Sequence, residues 1–137
     1  MKRILVVDDS DTVRQQVRLA LAPAGYELIE GIDGLDGLNK MRTELALAAV
    51  LCDVIMPKMT GLEMIATAYS EGITTPVVML SSEGQPSLIK RAREIGAKGW
   101  IVKPFKLELL LAAIKKVTTA PPSTTAPGLP SSIAAKP

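Results

Sequence analysis

The 137-residue chain contains no histidine. That absence removes the usual general base near neutral pH, the commonest nitrogen ligand for metals, and any role as a carrier of phosphohistidine. Cys52 is the only cysteine, so no internal disulfide can form, and its place in the run "AVLC" suits a small buried hydrophobe better than a reactive thiol. No apolar run approaches the roughly 20 residues of a membrane helix. Before Asp8 the N-terminus offers two basic residues and then four apolar ones, too few for an export signal. No glycine-rich phosphate loop follows any apolar run, so ATP is not expected as a substrate. A soluble, cytoplasmic protein with no membrane contact is the expectation.

What is present is enough for one packed domain: 47% of residues are hydrophobic. Short apolar runs alternate with stretches of helical spacing. "RILVVD", "YELIEG", "AAVLCD", "PVVMLSS" and "KGWIVK" read as strands. The helices between and after them are marked by Val13, Val17, Ala20, Leu21 and Ala24; by Leu35, Leu38 and Met41; by Leu62, Ile65, Ala66 and Tyr69; by Leu88 to Ile95; and by Leu107 to Val117. The third and fourth strands are apolar throughout, as expected where helices cover both faces of a parallel sheet. Five strands alternating with five helices predict a doubly wound α/β domain with right-handed crossovers over residues 1–118. Residues 119–137, rich in Pro, Ser, Thr and Ala, read as a disordered tail. Met59, Met64 and Met79 read as core filling, and "GLDGL" as turn chemistry.

The polar residues that close these strands fall at one edge of the sheet. Asp8 and Asp9 follow "LVV", Asp53 follows "AVLC", Ser81 and Ser82 follow "VVML", and Lys103 follows "WIV". Ligands of open α/β sheets bind at that edge, where the strand order reverses. Ser10 and Asp11 are ordinary choices for a turn and a helix start, but adjacent Asp8 and Asp9 repel one another at the exit from a core.

The motifs "VVDDS", "CDVIMPKMTGLEMI", "MLSSE" and "GAKGWIVKPF", in this order and spacing, resemble a response-regulator receiver domain. The similarity runs from Met1 to about Val117 and is to the stand-alone chemotaxis type. The resemblance implies a flavodoxin-like five-stranded sheet of order 2-1-3-4-5. It implies a phosphoacceptor of a two-component system, of the chemotaxis or motility kind, that takes a phosphoryl group onto Asp53 from a phosphohistidine of a sensor histidine kinase. It also implies Asp9 and Asp53 as direct metal ligands, Asp8 as a direct or water-mediated one, and the backbone carbonyl of Ile55 as another. The bond between Lys103 and Pro104 is often cis in the family. The family's switch pair would be Ser81 and Trp100, with Trp where Tyr or Phe is commoner.

The chemistry is consistent with that resemblance. Carboxylates of Asp8, Asp9 and Asp53 brought to 4 Å would repel by about 4 kcal/mol per pair at an effective dielectric of 20, so a cation must offset them. Mg²⁺ fits, because it binds a few carboxylates and keeps water and phosphate oxygens in its shell. Asp53 could form an acyl phosphate, with Lys103 as a point charge and the Ser81 hydroxyl as a donor to the transferred oxygens. Blander readings exist: a strand-end lysine, a helix-starting serine, a buried structural tryptophan.

The chain is expected to be a switch, not an enzyme with an external substrate. The alternatives are a small aspartyl-phosphate phosphatase, for which "DDSD" offers only a superficial D-x-D, and a scaffold that binds partners without phosphorylation. Charge points to a partner face. Residues 1–85 hold 7 basic and 12 acidic side chains, residues 86–117 hold 8 and 2, so the balance shifts from −5 to +6. Leaving Lys103 to the site, the basic candidates are Lys90, Arg91, Arg93, Lys98, Lys106, Lys115 and Lys116. They fall on the fourth helix, fifth strand and fifth helix, the usual output face of receivers. An acidic protein segment is the expected partner of a monomer, and nucleic acid is not, since no DNA-reading module is present.

Overall fold

A computed structural model describes residues 2–119. Its elements are β1 (Arg3–Val7), α1 (Asp11–Leu21), β2 (Glu27–Gly31), α2 (Gly34–Thr43), β3 (Leu47–Cys52), α3 (Gly61–Ser70), β4 (Val77–Ser81), α4 (Pro86–Ile95), β5 (Gly99–Val102) and α5 (Leu107–Thr119). The strands form one parallel sheet in the order β2-β1-β3-β4-β5. Alternation along each strand divides the core in two. Ile4, Val6, Leu51, Val78 and Leu80 face Val17 and Leu21 of α1 and Leu110 and Ile114 of α5. Leu5, Val7, Val50, Cys52 and Met79 face Leu38 of α2, Met64 and Ile65 of α3, and Ala92 of α4. The strand order reverses between β1 and β3, so the crevice beyond their carboxyl ends is the natural ligand position of this sheet.

Local chemistry explains the helix starts. Ser10 caps α1, its Oγ accepting from the Val13 amide at 3.3 Å. Asp33 caps α2 by accepting from the Asp36 amide at 2.8 Å, and Thr60 and Glu63 form a reciprocal capping box on α3.

Several expectations need correction. "GLDGL" is not a turn: all five residues lie in α2. Its glycines are there for close approach, since a Cβ on Gly34 would sit 2.1 Å from the Met59 carbonyl oxygen and one on Gly37 2.7 Å from a Val7 methyl. Ala24 does not extend the buried face of α1; a one-turn 3₁₀ helix, Ala22–Ala24, intervenes and leaves it exposed. Leu35 and Ala66 keep helical spacing but point to solvent. Helix α4 begins at Pro86, whose missing N–H costs nothing in a first turn, and α5 runs on to Thr119. The rest of the expected tail, residues 120–137, lies outside the described residues. Among the described residues no helix is long and apolar enough to cross a membrane.

Candidate functional site

Backbone pairing carries the acidic residues to the edge of the sheet. The Asp8 amide donates to the Gly31 carbonyl at 3.1 Å and the Asp53 amide to the Val7 carbonyl at 3.0 Å, so both residues prolong the ladder past the last assigned strand residue. Asp8 is 1% exposed and Asp53 9%, while Asp9 is open to solvent. One carboxylate oxygen from each of Asp8, Asp9 and Asp53 lies within 4.8 Å of the other two. The turn into α3 closes tightly beneath them: the Gly61 amide donates to the Val54 carbonyl at 2.8 Å, and a Cβ on Gly61 would lie 2.0 Å from the Asp53 carbonyl oxygen.

Lys103 is delivered by β5. Its amide donates to the Ser81 carbonyl at 2.7 Å, and the Lys103–Pro104 peptide that follows is cis. Its Nζ donates to Asp8 Oδ2 at 2.7 Å and to Asp53 Oδ2 at 3.2 Å. The remaining oxygens are also engaged, Asp8 Oδ1 by the Ser10 amide at 2.9 Å and Asp53 Oδ1 by the Val54 amide at 2.7 Å. Asp8 thus serves the turn as well as the acidic cluster. Burial, followed by the Asp8 charge, raises the Asp53 carboxyl above its ordinary value against the pull of Lys103. For Lys103, burial works to lower the value, but the Asp8 hydrogen bond and the two carboxylate charges outweigh it and leave the ammonium raised. Burial, then Asp53 and Asp8, pushes the Cys52 thiol well up, so this cysteine is not a thiolate nucleophile.

Ser81 ends β4, 1% exposed, with its Oγ accepting from the Glu83 amide at 3.0 Å. Trp100, half-buried in β5, donates its Nε1 proton to the Glu83 carbonyl at 2.8 Å. The two residues expected as a switch pair therefore hold opposite ends of one residue's backbone. Ile55 lies in the β3–α3 loop, 64% exposed, and with a hydrocarbon side chain it can offer a cation only its backbone carbonyl.

Three hard oxygen donors against a single ammonium leave the pocket with a deficit of positive charge. Two of the carboxylates are buried and the third faces water, a set suited to a hard divalent cation that retains part of its hydration. Sequence reasoning missed one contributor. Arg14 is 7% exposed, and its Nη1 donates to the Asp8 carbonyl at 2.5 Å while its Nε donates to Glu30 Oε1 at 2.8 Å. A signal existed: Arg14 stands three residues before Val17 and seven before Leu21, so it occupies the buried stripe of α1 where a charge is out of place.

The response regulator receiver domain model matches residues 4–115, and the chain belongs to that family. It is 34% identical over 113 residues to the transcriptional regulatory protein DltR of Streptococcus agalactiae; the match takes in 82% of this chain but spans only half of DltR, 50%. The structure of chemotaxis protein CheY4 of Vibrio cholerae superposes with a TM-score of 0.79 at 37% identity, covering 85% of this chain and 98% of that one. The CheX–CheY–BeF₃–Mg²⁺ complex from Borrelia burgdorferi gives a TM-score of 0.82 at 27% identity, over 87% and 90% of the two chains. Receiver domains of two-component response regulators hold Mg²⁺ in an acidic pocket and interact with histidine kinases and downstream targets.

Proposed function

We propose that this chain is a Mg²⁺-dependent phosphoacceptor that takes a phosphoryl group from a sensor histidine kinase onto Asp53 and signals by changing its partner-binding face. The observation that carries this reading is the convergence of Asp53 with Asp8, Asp9 and Lys103 at the point where strand order reverses. In the transfer, an oxygen of Asp53 forms a bond to phosphorus as the bond from phosphorus to the donor's imidazole nitrogen breaks. The Val54 amide fixes the rotation of the carboxylate. Lys103, already 3.2 Å from Asp53 Oδ2, is placed to take up charge on the transferred group's oxygens. A divalent cation held by Asp8, Asp9, Asp53 and the Ile55 carbonyl would supply further charge neutralisation at the same oxygens.

The link to a partner runs through Glu83. A Ser81 hydroxyl recruited to the phosphoryl group would release the Glu83 amide, while Trp100 holds the same residue's carbonyl from β5. Trp100 borders a cleft with Ile89, Arg93 and Lys98, within the basic α4–β5–α5 face. We assign that face to an acidic segment of a downstream protein, and a chemotaxis or motility pathway to the chain, as the near-complete overlap with CheY4 favours. The protein acts in this reading as a cytoplasmic monomer and a switch, with no external substrate to turn over.

Acetyl phosphate with Mg²⁺ should add one phosphoryl group per chain, and Asp53→Asn should abolish the addition. Intact-protein mass spectrometry showing full labelling of the Asn variant would overturn the assignment of Asp53.

A further inference from the structure

The floor of the acidic pocket is gripped from α1. Arg14 reaches the backbone carbonyl of Asp8, not its carboxylate, so the guanidinium holds the peptide that joins Asp8 to Asp9. Its other nitrogens are taken by Glu30 Oε1 and by Asp11 Oδ1, and Arg18 also bonds Glu30. The two arginines and two acids leave this cluster without net charge, so it adds little to the field in the pocket. What it fixes is direction. Asp8 is additionally held by the Gly31 carbonyl, the Ser10 amide and Lys103, whereas Asp9 is exposed and its orientation depends on the peptide before it.

We propose that Arg14, oriented by Glu30, is a positioning residue that sets the affinity of the pocket for Mg²⁺ by locking the Asp8–Asp9 peptide. The proposal rests on the reading of Asp8, Asp9 and Asp53 as the Mg²⁺ site. It differs in sign from a purely electrostatic role. Removing a cation near three carboxylates should by Coulomb's law tighten Mg²⁺ binding, whereas releasing the peptide that aims Asp9 should weaken it. A purely structural role would lower stability and leave the affinity of the folded protein alone.

The test is calorimetric titration of Mg²⁺ into the full chain, wild type and Arg14→Met, at fixed ionic strength, with ¹⁵N spectra of the metal-free forms. Arg14→Met is expected to raise the Mg²⁺ Kd about tenfold and to shift or broaden the Asp9 and Ser10 amide signals before any metal is added. The acetyl phosphate labelling rate should then need more Mg²⁺ for half-saturation but reach the wild-type plateau to within about twofold. If Arg14→Met does not fold, Arg14→Lys decides, because it keeps the positive charge and loses the fork: a Kd raised about threefold or more, with the same two amides perturbed, supports the proposal. A folded Arg14→Met, or failing that Arg14→Lys, that binds Mg²⁺ as tightly as wild type, or more tightly, overturns the clamp and leaves the phosphoacceptor reading standing. A wild-type chain that binds no Mg²⁺ overturns both.

Discussion

Two regions of the chain use positive charge in opposite ways. Between Arg3 and Lys58, Arg3, Arg14, Arg18, Lys40, Arg42 and Lys58 are all ion-paired, to Glu27, Glu44, Asp11, Glu30, Asp36, Glu71 or Asp33. Between Pro86 and Val117 the pattern reverses: Lys90, Arg91, Arg93, Lys98, Lys106, Lys115 and Lys116 are exposed and, among the described residues, none is in an ion pair. Lys103 is the exception, joined to Asp8 and Asp53. The difference teaches where charge is structural and where it is available. In the first region acids and bases tie strand to strand, helix to strand and helix to helix, as Arg3–Glu27, Arg14–Glu30 and Arg42–Glu71 do. In the second they leave a positive surface beside Trp100, the face proposed above for an acidic partner.

The sharpest way to break the comparison is to remove its exception. Lys103→Met leaves Asp8 and Asp53 without their shared cation, and in EDTA at neutral pH this should cost about 2 kcal/mol of stability. Mg²⁺ should return most of that loss, since a divalent ion can answer the same carboxylates. Urea unfolding with EDTA and with saturating Mg²⁺ measures both. An equal loss in the two conditions would mean that the lysine contributes through packing alone.

Next in size is the effect of reversing the unpaired region. The pair Lys90→Glu and Arg93→Glu should slow association of the phosphorylated protein with its target by about tenfold at low salt, with the gap narrowing as salt rises. Stability should change by less than about 0.5 kcal/mol, because among the described residues neither is in an ion pair. Stopped-flow association over a salt series is the check. An unchanged rate would remove this face as the docking surface.

The same contrast governs what could be read from the sequence. Strand and helix alternation, the sheet edge that collects Asp8, Asp9, Asp53, Ser81 and Lys103, and the basic run were legible because each depends on periodicity or on residues close in the chain. The job of the α2 glycines was not. Gly34 and Gly37 are small because Met59 and Val7, distant in sequence, approach them, and turn propensity alone pointed the other way. Nor was Arg14 recognised, although it breaks the apolar stripe of α1, because its partners Glu30 and the Asp8 carbonyl come from other elements. The joint hold of Ser81 and Trp100 on Glu83 likewise needs β4 and β5 side by side. Local rules place residues at an edge; only tertiary contacts say what each one grips.

A smaller effect tests the acidic side of the exception. The Asp53 carboxyl is raised by burial and by Asp8, so in the metal-free protein its ionisation opposes folding. That penalty is complete above the raised folded-state value and vanishes below the unfolded one. Asp53→Asn should therefore be more stable than wild type at neutral pH in EDTA. The advantage should fade as pH falls through the folded-state value and be gone below the ordinary aspartate range. Thermal melts from neutral to acid pH would show it, and a variant less stable than wild type at neutral pH would contradict the reading of Asp53 as an electrostatically costly group.

The smallest effect belongs to a pair that looks strong on paper. Arg42 on α2 meets Glu71 at the end of α3 through two hydrogen bonds, one of them Nε to Oε1 at 2.8 Å. The hydrogen bond to Arg42 holds the Glu71 carboxyl below its usual value. Both side chains are substantially exposed, however, 40% and 37%, so water screens the attraction and ordering two long side chains opposes it. Arg42→Ala should lower the melting temperature by no more than about 3 °C at neutral pH. Because Glu71 is depressed, this contribution exists above its unfolded value and is lost as pH falls through the folded one; added salt should shrink it as well. A drop well beyond that, insensitive to salt and to acid, would mean that the Arg42 stem packs α2 against α3. The first region's pairs would then have to be judged by the apolar surface they cover as well as by their charge.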